Sequence, residues 1–133
     1  MATIADTDSC PCGSARGYGS CCGAVHSAGA GIGNSAEQVM RARYSAYVLR
    51  NQAFLLESWA SETRPPSIDF GDVEWHGLTV EDTDGGGVLD ASGTVEFRAR
   101  FRRGDAHLEL HERSTFRREA GRWVYIDGVD PDI

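Results

Sequence analysis

All four cysteines of the 133-residue chain fall between positions 10 and 22, in the stretch CPCGSARGYGSCC. The spacing is Cys10-x-Cys12, eight residues, then Cys21-Cys22. Three chemistries compete for such a cluster. A disulfide framework suits small exported chains, and the opening MATIADTDS lacks the basic start and apolar run of a secretory signal. A redox or nucleophilic thiol needs one activated cysteine beside a base and leaves the others unexplained. A tetrahedral cation uses all four, as thiolates at about 2.3 Å. Zn2+ is the ion expected, with an iron–sulfur cluster or no metal at all as the alternatives. His26, four residues past Cys22, is either a replacement for Cys22 as fourth ligand or a surface histidine. A four-thiolate site has no open coordination position and is structural, not catalytic. Gly13, Gly17, Gly19 and Gly23 are read as positive-φ positions of the metal-binding turns. Amide N–H groups and Arg16 can soften the charge on sulfur. The segment has little apolar surface and is expected to order only around its metal.

A second set of residues places polar groups where a core should be. Arg43 falls inside the apolar stripe Ala36, Val39, Met40, Tyr44, Tyr47, Val48 of a helical pattern. By alternation Glu112 and Ser114 share a face with Leu108, Leu110 and Phe116, and His76 with Leu78 and Val80. A buried charge costs several kcal/mol unless paired, which makes Arg43 and Glu112 natural bidentate partners. Two roles follow. One is an ion pair fixing helix to sheet. The other is a pocket in which Arg43, Glu112, His76 and Ser114 line the mouth and Tyr44, Tyr47 and Trp59 form the walls. It would offer a cation to an anionic group and a carboxylate–histidine pair for proton transfer. A one-residue bulge would turn Glu112 outward and remove both roles. Asp127 is a turn residue or a second pocket acid. His107 and His111 alternate with Glu109 and Arg113 on the outward face, share that face, and lack a third metal ligand. No residue is assigned a catalytic role.

The elements that must position these residues follow from periodicity. Residues 1–9 read as a flexible N-terminus, 10–26 as the metal motif and 27–34 as a Gly-rich linker, with no periodicity from Ala24 to Asn34. Residues 35–133 form one domain. Ser35 and Gln38 make a capping box for a helix over about 35–50, and Asn51 caps a short second helix carrying Phe54, Leu55 and Trp59. Pro65-Pro66 stops any helix. From residue 68 the period becomes two: strands over Val73–Asp82, Val88–Arg102, His107–Arg118 and Arg122–Gly128, joined by Asp84–Gly87, Arg103–Asp105 and Glu119–Gly121. Helices followed by consecutive hairpins give an α+β antiparallel meander. Arg98, Arg100 and Arg102 face outward and are expected to pair with Glu96 and Glu109.

Net charge is −7, and the 13 basic residues are all arginine. The field of such a chain repels nucleic acid and anionic membrane. No apolar run reaches the ~18 residues of a membrane span. A cytoplasmic protein is expected.

The cysteine stretch resembles the SEC-C motif, the short zinc-binding tail of the SecA preprotein translocase. Gly13-Ser14-Ala15-Arg16 stands where that motif usually has Gly-Ser-Gly-Lys. The helix–helix–sheet outline resembles the cone-shaped nuclear transport factor 2-like (cystatin-like) fold, with N-terminal helices on a curved four-stranded antiparallel sheet. Val39–Tyr47, Thr63-Arg64-Pro65, Trp75–Leu78, Leu110–Ser114 and Arg122–Gly128 together resemble the bacterial YchJ-like family, which joins an N-terminal SEC-C zinc knob to a domain of this fold. The resemblance implies one structural zinc ion and carries no activity. Some relatives have a second SEC-C motif near the C-terminus; none occurs before Ile133. By resemblance to the translocase motif, the expected role is a protein-interaction module whose knob projects on its tether toward a chaperone, translocase or ribosome-related partner. Small-molecule binding in the cone is the alternative, and a homodimer through the outer sheet face is compatible with either.

Overall fold

The computed structural model describes residues 4–29 and 34–132. A 3-10 turn (Tyr18–Ser20) and helix α1 (Cys22–Ala28) form the N-terminal knob, followed by α2 (Ala36–Leu49) and α3 (Gln52–Glu57). Four strands complete the chain: β1 (Val73–Gly85), β2 (Ser92–Arg103), β3 (Ala106–Glu119) and β4 (Arg122–Val129). They form one antiparallel sheet in the order β1-β2-β3-β4. The fold is α+β, helices on a four-stranded meander.

Helices α2 and α3 start where their side chains dictate. Ser35 Oγ accepts from Gln38 N while Gln38 Oε1 accepts from Ser35 N, so both partners of the capping box are in place. Asn51 Oδ1 accepts from Phe54 N and opens α3. Trp59 lies past the end of α3, in a short segment bridged to β4: Ala60 N donates to Tyr125 O and Tyr125 N to Ser58 O. The Thr63-Arg64 stretch secures this segment, since Arg64 donates twice to Trp59 O and Thr63 Oγ1 to Ile126 O.

The sheet curves at three irregularities. The β1–β2 register shifts between Trp75 and Gly77 and again between Val80 and Asp82, and β3–β4 shifts at Thr115/Phe116. β2 and β3 pair without interruption, which sets Phe97 opposite Glu112 and Val95 opposite Ser114. The second strand begins at Ser92, later than expected. Gly86–Ala91 instead form a loop, with Gly86 N donating to Ser92 O and Gly86 O accepting from Ala36 N. Gly86 has φ +75 and lies so close to Ala36 that a side chain there would collide with it.

Helix α2 is covered on two sides. Met40, Arg43, Tyr44 and Tyr47 face the sheet. Arg41, Ala42 and Ser45, on nearly the opposite face at helical spacing, meet the knob. Arg41 Nη1 donates to Cys12 O, His26 Nε2 to Ala42 O, and Cys10 Sγ lies 3.7 Å from Ser45 Oγ. Cys10, Cys12, Cys22 and Val25 belong to the same buried cluster as Val39, Tyr44, Leu55 and Phe97. The small side chains of Ala42, Ser45 and Ala46, all fully buried, permit this approach.

The structure corrects several expectations about this end of the chain. The knob packs on the domain and does not project from it. Ser27 and Ala28, read as linker, belong to α1, and residues 30–33 of that linker lie outside the described residues. Within 1–9, residues 1–3 lie outside them too, while the rest is tied down: Ser9 pairs with Gly17 and Asp6 O accepts from Gly19 N. Of the four knob glycines only Gly13 has positive φ, at +80. Gly17, Gly19 and Gly23 are required by crowding, against Asp6 and Tyr18.

Candidate metal centre and cone cavity

Cys10 and Cys12 come from the first turn of the knob, Cys21 and Cys22 from the start of α1. Their four sulfur atoms all lie within 4.8 Å of one another, and Cys12 and Cys21 are 3.6 Å apart. A tetrahedron with metal–sulfur bonds of about 2.3 Å has edges of about 3.8 Å, so the donor set fits a metal ion. The electrostatics of the bare thiols agree. The Cys12 thiol is pulled down to about 4, foremost by hydrogen bonding from Cys22. Cys22 is pushed up, foremost by that same bond, and Cys21 is pushed up, foremost by burial. One negative charge settles on Cys12 while Cys21 and Cys22 keep their protons. A dication would let all four ionise and would supply a structural cross-link. Ser14 Oγ, 3.1 Å from Cys21 Sγ, and Ser45 Oγ beside Cys10 are placed to donate to sulfur.

His26 is neither a ligand nor a surface residue. Ala42 O can only accept, so Nε2 carries the proton, and Nδ1 accepts from Tyr18 OH at 2.6 Å. Its ring packs on Phe54 with centroids 4.7 Å apart. Both nitrogens are committed, and the histidine fastens α1 to α2.

Between α2 and the sheet lies a cavity of about 260 Å³. Arg43, Tyr44, Tyr47, Trp59, Glu112 and Ser114 all line it, as do Trp75, Phe97, Phe116 and Tyr125. Sequence reasoning missed these last four as cavity residues. Three of them lie on strand faces that alternation could have found. Trp75 could not be found that way, because a bulge decides its direction. The pairings Trp75 with Phe101 and Gly77 with Arg100 leave His76 as the extra residue. Trp75 therefore turns inward and His76 outward, where it stays 44% exposed, 3.8 Å from Glu74. The expected carboxylate–histidine pair does not form. Asp127 is exposed within β4, opposite Thr115. It is neither a turn residue nor a cavity acid.

Arg43 is buried, but Glu112 is not its ion-pair partner: no Arg43–Glu112 contact within 4.0 Å occurs. The guanidinium is sandwiched instead, 4.8 Å from the Trp59 ring centroid and 4.6 Å from that of Tyr125. Its Nη1 donates to Leu55 O and to Ser58 Oγ at 2.9 and 2.7 Å. Burial lowers its pKa to about 10, so it remains a cation at neutral pH, satisfied by two π faces and two oxygens. Glu112 accepts at Oε2 from Ser114 Oγ at 2.6 Å and from Tyr125 OH at 3.4 Å. Its carboxylate lies against Gly128, where any Cβ would collide with it.

On the outer face, Arg98 bridges Glu81 and Glu109, Arg102 meets Glu74, and Arg100 reaches Thr79. Glu96 takes Arg113 and His111, not the arginine stripe. His111 lies between Glu96 and Asp132, with Asp130 close enough that His111, Asp130 and Asp132 converge. His107 takes no part in that cluster.

A family model described as the YchJ middle NTF2-like domain matches residues 35–128, and one described as the SEC-C motif matches residues 7–24. The chain belongs to the YchJ-like family. Relatives of this YchJ-like chain include a UPF0225 protein of Streptomyces avermitilis, 46% identical over 121 residues (90% of this chain, 83% of that one), and one of Xanthomonas campestris, 44% identical over 131 residues (96% and 98%). A solution structure of a SEC-C motif containing protein from Rhodopseudomonas palustris is 35% identical, with a TM-score of 0.78 over 92% of this chain and 98% of that one. A crystal structure of a SEC-C motif containing protein from Psychrobacter arcticus, 24% identical, has a TM-score of 0.72 over 92% and 82%. It supports the YchJ-like fold alone. Among the described residues no helix is long and apolar enough to cross a membrane.

Proposed function

We propose that this YchJ-like chain is a cytoplasmic, non-enzymatic binding protein. Zinc held by Cys10, Cys12, Cys21 and Cys22 clips the knob to α2, and the cone cavity receives a small molecule. The observation that carries the reading is the separation of Arg43 from Glu112. Two opposite charges share the wall of one half-open, ring-lined space without touching, and the carboxylate keeps hydrogen-bonding capacity for a guest. A reducing compartment keeps the four thiols available to zinc. The test is a thermal-shift screen of small metabolites against the metal-loaded chain and against Ala99→Leu, which fills the cavity. A ligand that raises Tm in the first and not in the second supports the reading. A panel without a single cavity-dependent hit overturns it. Elemental analysis should give one zinc per chain, and an ordered knob in protein free of metal would remove the zinc clip.

A second reading is favoured by the outer side of the knob. Gly13, Ala15, Arg16 and Ser20 are exposed while the sulfurs face inward. This surface suits a protein partner, by resemblance one related to a chaperone, the translocase or the ribosome. Arg16→Glu should remove such a partner from a pull-down without loss of zinc. Unchanged partners would count against it.

A further inference from the structure

Resting on the cavity reading, we propose that its ligand is a compact organic cation, an ammonium or methylated ammonium on an aromatic or apolar body. Arg43 is the obvious receptor for an anion, yet its charge is already answered: two rings cover it and two oxygens accept from Nη1. Among the described residues Glu112 is the only acidic one on the cavity wall, and its charge is answered in part. Ser114 and Tyr125 both donate to Oε2, and no hydrogen bond from a described residue reaches Oε1. What Glu112 Oε1 lacks is a donor, and the strongest donor for a carboxylate is a cation.

The walls select for the same chemistry. Tyr44 and Tyr47 meet Trp75 with centroids 6.0 and 6.2 Å apart, and Tyr125 meets Trp59 and Phe116 at 5.1 and 5.8 Å. These rings line the space at tilted and edge-on angles to one another. The negative π face attracts ammonium groups. Size sets the upper limit. At about 30 Å³ per water the space of about 260 Å³ holds roughly eight or nine waters, enough for one ring bearing an aminomethyl group. Trp59 adds a further handle, since its buried Nε1 has no hydrogen-bond partner among the described residues and could meet an acceptor on the guest.

Three probes of one shape separate the alternatives: benzylamine, benzyl alcohol and benzoate, titrated by NMR into the metal-loaded full chain. Benzylamine is expected to bind roughly tenfold more tightly than benzyl alcohol, with benzoate weakest. It should shift the Trp59 indole N–H and the Glu112 amide. In Glu112→Gln, which keeps the shape and removes the charge, the preference for the amine over the alcohol should vanish. Benzoate or the alcohol binding as well as the amine, or an amine preference untouched by Glu112→Gln, would overturn the ligand class and leave the cavity reading standing. Benzylamine shifts confined to the outer-face acids Asp130 and Asp132 would also overturn it. Failure of all three probes to enter the cavity at roughly 10 mM, an easy threshold for fragments of this size, would overturn both. The wild-type ranking decides the matter if the variant does not fold.

Discussion

Arg43 shows how a buried cation can be kept without a carboxylate. Desolvation costs several kcal/mol, and the return comes from two rings and two fixed acceptors in contact, with Glu112 attracting from beyond contact distance. A flat, delocalised guanidinium can stack between rings in a way that a compact ammonium cannot. Arg43→Lys should therefore destabilise the chain by about 2 kcal/mol or more, measured by urea unfolding. An unchanged midpoint would mean that charge alone suffices there. Two histidines make a second residue-scale prediction, with opposite signs. Burial holds His26 below its ordinary value. The unfolded chain then binds a proton that the folded chain does not, and this contribution is lost as pH falls below about 6.5. His111 is held above its ordinary value, first by Asp132 and then by Glu96. Its contribution is present below about pH 6.5 and is lost as pH rises through the raised value. Imidazole NMR titration should place the two on opposite sides of about 6.5, and Asp132→Asn should bring His111 down.

At the level of elements, what could be read from the sequence was what local chemistry encodes. The capping box at Ser35–Gln38, the cap at Asn51 and the clean alternation through Val95, Phe97 and Ala99 each carry their own signal, and each is where it was expected. Ser35→Ala should cost about 1 kcal/mol, seen as a Tm drop of about 4–8 °C. The strand bulge at His76 carries no such signal. Alternation gives the phase of a strand only up to the first extra residue, and the extra residue is fixed by pairing with β2. The neighbours of Arg43 were hidden for a related reason: charge complementarity points to a carboxylate, whereas the short bridge between the Trp59 segment and β4 brings rings instead. The knob's contact with α2 was missed because an amphipathic helix was assumed to bury one stripe, while Ala42, Ser45 and Ala46 make a second. The β3–β4 pair offers its own test. Gly128→Ala drives a methyl group into the Glu112 carboxylate, the mobile end of a flexible side chain. The fold should survive with Tm changed by a few degrees, while guest binding at Glu112 falls severalfold. A variant that binds as well as wild type would show that the carboxylate is not held there.

For the molecule as a whole, the cysteine cluster and the cavity share one helix. Chelation or Cys12→Ser should lower Tm by about 10 °C, corresponding to about 2 kcal/mol for a domain of this size, and should release His26, with the Tyr18 bonded to it, from α2. Retention of the full Tm in metal-free protein would show that packing of the knob needs no ion.

The double coverage of α2 has a consequence for how the two sites are felt by each other. A rod gripped along one flank by sulfur chemistry and along the other by rings transmits a loosening on either side. Equilibrium coupling is reciprocal. A chelating agent should therefore weaken the hold on an amine it never touches, and an amine in the cone should slow the escape of an ion on the far side of the same helix.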